Sequence, residues 1–251
     1  MSEEKRRLVS MEQISKHFGG IEALSEVDFH LDAGEIVGLV GDNGAGKSTL
    51  IKILSGIYVP DEGRILIDGK PVRFEGAMHA KSLGIETVHQ DRGLVPSFRV
   101  AQNLFLGREK TRFGWLKRRE MDKEAHEAVS RLGIEIRSYR APVGTMSGGQ
   151  QQAVAVARAI STRPKVVILD EPTAALAVKE VGKVLGVVCR LREEGIAVVL
   201  ISHVLPEIFQ VTDRVVVLRR GRKVGDVPTR DADQDLLVKL MIGTEVVGCA
   251  G

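Results

Sequence analysis

The spacing of apolar and polar positions changes twice along this chain. Near the start, partial alternation over 8–14 and 27–31 predicts two strands. After Ala33-Gly34 turns the chain, Glu35-Ile36-Val37-Gly38-Leu39-Val40 is short, apolar and β-branched, the pattern of a strand buried on both faces. Residues 48–55 then take helical spacing. Strands over 64–67 and 72–74 flank Asp68-Gly69, a dipeptide that favours a type I′ turn, and 84–89 reads as another strand. From 91 to about 161 the period turns helical, with Met121, Ala125, Ala128, Val129 and Leu132 recurring about one turn apart. Strand and helix alternate again in the last third. A strand over 166–169 precedes a helix carrying Val181, Val184, Leu185, Val188 and Leu191, then come strands over 196–201 and 215–218 and a closing helix over 233–242. Such alternation builds a parallel sheet, so the predicted class is α/β. No repeat or low-complexity linker divides 1–251, which makes 91–161 a helical insertion within one unit.

Composition narrows the classes. With 43% hydrophobic and 27% charged residues, the chain is neither disordered nor a disulfide scaffold. Cys189 and Cys249 form no framework, and a reducing compartment is the expectation. No apolar run approaches the roughly 20 residues of a membrane span, and the first residues lack an apolar leader core, so a cytoplasmic location is expected. Net charge is +3, and the basic runs Lys117-Arg118-Arg119 and 219–223 read as solvated turns. With aromatics at 4%, no nucleic-acid partner is expected.

The 27 glycines matter by their clustering. Gly41-Asp42-Asn43-Gly44-Ala45-Gly46-Lys47-Ser48 follows a buried strand, precedes a helix and fits G-x-x-x-x-G-K-[ST]. Glycines let successive N–H groups converge on phosphate oxygens, and the helix start adds partial positive charge. Lys47 then supplies a full charge to the β- and γ-phosphates, Ser48 a hydroxyl for Mg²⁺, and Thr49 assists beside it or caps the helix. Such a site wants a carboxylate at another strand end. Asp170 stands where 166–169 leaves the core, and Glu171 beside it can orient and deprotonate water; alone, the pair would read equally as a helix cap. Ser147-Gly148-Gly149-Gln150 opens a further helix over 151–160. Ser147 alone is an ordinary N-cap, but two glycines at a helix start are unfavourable by about 1 kcal/mol each, and an anion would offset them.

Residues 41–49, the Ser147–Gln150 signature, Asp170-Glu171 and His203 occur in an order that resembles the ATP-binding-cassette ATPases over nearly the whole chain. The resemblance implies a RecA-like P-loop core, a parallel sheet with an antiparallel N-terminal β subdomain, over 1–90 and 162–251. It makes 91–161 the helical subdomain. It further implies two copies head to tail, with ATP held between the cradle of one and Ser147, Gly148 and Gly149 of the other. Gln90 resembles the glutamine that senses Mg²⁺ and the γ-phosphate, although a lone Gln is usually surface. His203 resembles the switch histidine, and Phe18 the aromatic on which adenine stacks, against the plainer reading of a core residue. Ala177 stands where the family usually has an Asp, which bears on communication between the two sites.

Within the family, 56–63, 88–91 and 100–109 look like the simple-sugar importers. That branch implies a homodimer or paired cassette at the cytoplasmic face of the inner membrane, integral permease subunits docked near 90–108, and an extracytoplasmic sugar-binding protein. Many members of the branch carry two fused cassettes, and this sequence has one. The alternatives are another importer or an exporter, or a non-transport ATPase. A P-loop kinase or GTPase would explain 41–49 but not the other three motifs.

Overall fold

The computed structural model describes residues 6–89, 91–174 and 176–243. In chain order the elements are β1 (Arg7–Phe18), β2 (Ile21–Asp32), β3 (Ile36–Val40), α1 (Lys47–Leu54), β4 (Glu62–Ile67), β5 (Lys70–Val72), α2 (Ala77–Ser82) and β6 (Ile85–Val88). Then follow α3 (Val100–Leu104), β7 (Thr111–Arg112), β8 (Trp115–Leu116), α4 (Arg118–Arg131) and α5 (Gly148–Ile160). The last third holds β9 (Val166–Asp170), α6 (Val178–Glu193), β10 (Ala197–Ile201), α7 (Leu205–Val211), β11 (Arg214–Arg219), β12 (Arg222–Pro228) and α8 (Gln234–Ile242).

Six strands form the central sheet in the order β12-β11-β3-β10-β9-β6, parallel except for β12 at one edge. All five residues of β3 and of β10 are buried, and successive ones face opposite layers. Ile36, Val40, Val198 and Leu200 pack toward α5 and α6, whereas Val37, Leu39, Val199 and Ile201 pack toward α1 and a second, antiparallel sheet of order β2-β1-β4-β5. Two covered faces are why these strands read as unbroken apolar runs. The half-buried Arg214 ties the sheet's lower edge together, reaching Glu35 at 2.9 Å and Asp226 at 2.6 Å.

Several local readings need correction. Asp68 and Gly69 take φ of +50° and +75° as a two-residue turn, so the second strand of that hairpin begins at Lys70, earlier than the 72–74 expected. The stretch 91–161 is not uniformly helical, because 111–116 form the β7–β8 hairpin. The signature helix begins at Gly148 instead of Gln151. Of the two basic runs, 219–223 does form a turn, with Arg220 and Gly221 at positive φ, but Lys117-Arg118-Arg119 caps and begins α4. Cys189 is a free, part-buried thiol, and Cys249 lies outside the described residues. Among the described residues no helix is long and apolar enough to cross a membrane.

Candidate functional site

Parallel register decides where the site lies. Ile201 pairs with Leu39 on one side and Asp170 on the other, so β3, β10 and β9 end together. From those ends emerge the glycine loop, His203 and the Asp170-Glu171 pair, and they line one open cleft of about 550 Å³. Its lining includes Asn43, Gly44, Ala45, Gly46, Lys47, Ser48 and Thr49 from the loop and α1, with Ile21, Glu22 and Ala23 from β2.

The loop needs its glycines for two separate reasons. At Gly41, φ is +149° and a Cβ would lie 2.2 Å from the Leu218 carbonyl oxygen; at Gly46, φ is +104° and a Cβ would lie 2.7 Å from Leu24. The loop is therefore pressed against the sheet ends, and α1 starts with its N–H groups turned outward. Leu50 N–H reaches Gly46 O at 2.9 Å, but among the described residues the N–H groups of 46–49 meet no protein acceptor. Four free donors at a helix start suit an anion. Lys47 Nζ turns onto its own loop, 2.5 Å from Gly41 O and 3.0 Å from Asp42 O. Partial burial pulls this ammonium below the ordinary lysine range, against the opposing pull of Glu171, Asp42 and Asp170.

Glu171 follows β9 at φ +50°, a left-handed conformation uncommon for a side chain of this size. Its N–H donates to Ile201 O at 3.0 Å, and its Oε2 lies 2.8 Å from His203 Nδ1. A carboxylate only accepts, so Nδ1 carries the hydrogen and the imidazole is held by the very acid it stands beside. Beneath them Glu207, which sequence reasoning passed over, accepts from Thr173 Oγ1 at 2.6 Å and Ser202 Oγ at 3.2 Å, all three buried. One buried carboxylate thus joins the loop after Glu171 to the residue before His203. Its signal in the sequence was a lone acid on the apolar face of a seven-residue helix, which no spacing rule singles out.

Other predicted residues lie apart. Ser147 and Gln150 line a second cleft with Ile136, Arg137 and Met146. Phe18, at the tip of the β1–β2 hairpin, is 41% exposed and stacks edge-on against Tyr58 with ring centres 5.2 Å apart, so it is not the core residue of the plainer reading. Gln90 lies outside the described residues, but the segment after it is braced by Arg158 of α5, which donates to Gly93 O at 2.6 Å and Arg92 O at 2.8 Å.

The family model described as ABC transporter matches residues 24–174, which hold the glycine loop, the signature and the Asp170-Glu171 pair. The chain belongs to the ABC transporter family. The cassette is 48% identical over 241 residues to a ribose import ATP-binding protein of Rubrobacter xylanophilus, covering 96% of this chain and 48% of that one. It is 45% identical over 238 residues to a fructose import ATP-binding protein of Rhizobium meliloti, covering 92% of each. The chain spans about half the length of the first curated relatives it matches, whereas the fructose protein is of similar size. In structure it is similar to a dimeric ATP-binding cassette bound to ADP and Pi in a post-hydrolysis state, with a TM-score of 0.74 and 28% identity over 89% of this chain and 99% of that one.

At the cassette's signature, Ser147 caps α5 reciprocally: Ser147 Oγ accepts from Gln150 N–H at 3.3 Å, and Gln150 Oε1 accepts from Ser147 N–H at 3.1 Å. The sequence-based reason for the two glycines needs amendment. A Cβ on Gly148 would lie 2.5 Å from Leu176 Cδ2 and 3.4 Å from Glu180 Oε2, and one on Gly149 3.2 Å from Glu180 Cβ. Close packing against the start of α6 requires small residues here whether or not an anion arrives. Glu180 already supplies negative charge to the helix start. Ser147's hydroxyl, with the N–H groups of Gly149 and Ala177, holds this carboxyl below its usual range.

Proposed function

We propose that the chain is the ATP-hydrolysing subunit of an importer of simple sugars, working as a head-to-tail pair of cassettes under a membrane permease. The observation that carries this reading is the convergence of residues 43–49, Asp170, Glu171 and His203 on one cleft, with Ser147 and Gln150 on another. A signature that lines a different cleft from its own cradle suits a site completed by a second copy. Ribose and fructose import, the activities named for the two relatives, support the sugar class. In this reading 1–90 and 162–251 form the core lobe and 91–161 the lobe that presents the signature. Permease subunits meet the stretch around 90–108 at the cytoplasmic face of the inner membrane, and an extracytoplasmic protein delivers the sugar.

Ser48, Asp170 and, by family resemblance, Gln90 would hold Mg²⁺, which supplies positive charge against the β- and γ-phosphates. Among the described residues no cluster of three or more His, Cys, Asp or Glu side chains could hold a metal without help. That is compatible with Mg²⁺, which needs only one or two carboxylates and completes its shell with other oxygens, including water and phosphate. The free N–H groups of 46–49 and the Lys47 ammonium bind the phosphates, and Phe18 offers its exposed ring to adenine. Glu171 orients a water whose oxygen bonds to the γ-phosphorus as the bond to the bridging oxygen breaks, and takes up the proton released. His203 and Lys47 stabilise the charge gathered on the transferring group. Ser147, Gly148, Gly149 and Gln150 close the site from the partner copy.

Glu171→Gln should retain ATP binding and lower turnover by about 100-fold or more, whereas Lys47→Ala should lose binding. Unchanged turnover in Glu171→Gln would sink the assignment. Tagged Glu171→Gln protein with Mg-ATP, recovered from native membranes, should bring a polytopic permease and a sugar-binding protein with it. Ribosomal or DNA-repair proteins in their place would end the transport reading.

A further inference from the structure

The β7–β8 hairpin is built against local preference. Its two turn residues, Phe113 and Gly114, take φ of +51° and +82°, and the first is a position where Asn, Asp or Gly is usual. A bulky aromatic there is a conformational outlier, and it packs on no core: Phe113 is 89% exposed and Trp115 81%. Leu116 is exposed beside them, and residues 111–119 form one continuous exposed run. Charge gathers at the same place. Residues 108–120 carry six basic and two acidic side chains, a net +4 in a chain whose total is +3. Both acids sit at the root. Glu120 joins Lys110 and Lys117, Lys110 also reaches Glu124, and Glu109 Oε1 accepts from Gly107 N–H. Arg112, Arg118 and Arg119 enter no ion pair among the described residues. Arg118 and Arg119 also occupy the first turn of α4, the end of a helix whose dipole disfavours cations. Below the tip the base is held fast, Arg108 donating to Leu104 O, Arg158 O and Ser161 Oγ.

We infer that this tip, Phe113 and Trp115 with Arg112, Arg118 and Arg119, docks on an anionic membrane surface beside the permease. The inference rests on the reading of the chain as a membrane-bound transport subunit. Neither of the two clefts described above is lined by a residue of this tip. Its chemistry is that of the bilayer interface, where Trp sits at headgroup level and Arg draws anionic lipid. Cations without an acid partner, the absence of acids at the tip and exposed aromatic side chains, Phe113 among them with the Arg112 guanidinium 5.4 Å from its ring centre, are all explained by that one occupant.

Trp115 is the only tryptophan of the chain, so its emission reports the tip directly. The 251-residue chain, mixed with phosphatidylcholine vesicles with or without phosphatidylglycerol, should sediment with the anionic vesicles only. Its emission should shift to shorter wavelength on binding. At about five-fold per cation, Arg118→Gln with Arg119→Gln should bind about 30-fold more weakly. Phe113→Ser should weaken binding too, and all of these variants should hydrolyse ATP in solution at the parent rate. Absence of binding to anionic vesicles, equal binding to neutral ones, or unaltered binding by the arginine variant would overturn the inference. ATP hydrolysis without vesicles is read separately, so failure of the ATPase assignment is distinguishable from failure of the membrane tip.

Discussion

The loops that carry Glu171 and His203 are tied together by a residue that hydrogen-bonds to neither of them. Glu207 is buried and accepts hydroxyls from Thr173 and Ser202, one from each loop that carries a candidate catalytic side chain. Ser202 Oγ in turn accepts Val204 N–H at 3.0 Å, so the turn after β10 is built around this network. Removing the carboxylate leaves two buried hydroxyls without their acceptor. Glu207→Ala should lower unfolding free energy by about 1.5–3 kcal/mol and reduce kcat while leaving nucleotide affinity close to the parent's. A variant with parent stability and parent kcat would show that the loops need no such clasp. As a positioning residue, Glu207 differs from Glu171, whose loss stops the chemistry itself.

At the scale of elements, the start of α6 is the weak joint. Ala177 is its N-cap and offers no side-chain acceptor, so the helix relies on Glu180 in its first turn. A hydroxyl at the cap accepts one of the free N–H groups. Ala177→Ser should therefore stabilise the fold by about 1 kcal/mol, a rise of roughly 2–4 °C in Tm for a chain of this size. No rise would mean that the loop before α6 cannot bring the hydroxyl to the N–H groups. Most elements were legible from sequence, and the reasons for the misses are specific. The strands β3, β9, β10 and β11 stood out because burial on two faces leaves only apolar residues. The β7–β8 hairpin did not, because its strands are two residues long and its turn carries Phe where a turn residue was sought. The glycines of the signature were noticed, but a second reason for them was not legible, since Leu176 and Glu180, about 30 residues further along the chain, occupy the space their side chains would need.

For the whole molecule, the separation of two clefts has a direct consequence. If each ATP is held between two copies, Ser147→Arg should lower hydrolysis by about 100-fold or more, the scale of losing a positioned transition-state donor, and leave binding by one chain intact. Mixing Ser147→Arg with Lys47→Ala should recover part of the activity, because one composite site in the mixed pair keeps an intact cradle and an intact signature. Full activity of Ser147→Arg alone, or no recovery on mixing, would refute the shared site.

What is written in consecutive residues could be read without coordinates: the glycine loop between strand and helix, the acid pair at a strand end, and the Ser147 cap, each set by backbone chemistry within a few positions. Through-space placement could not. Residues 41–49, 170–171 and 203 meet because parallel register aligns the ends of β3, β9 and β10. Glu207 beneath Glu171, Glu180 against the signature and the cationic aromatic tip all depend on how distant elements pack, and no local pattern encodes a neighbour that lies on another element.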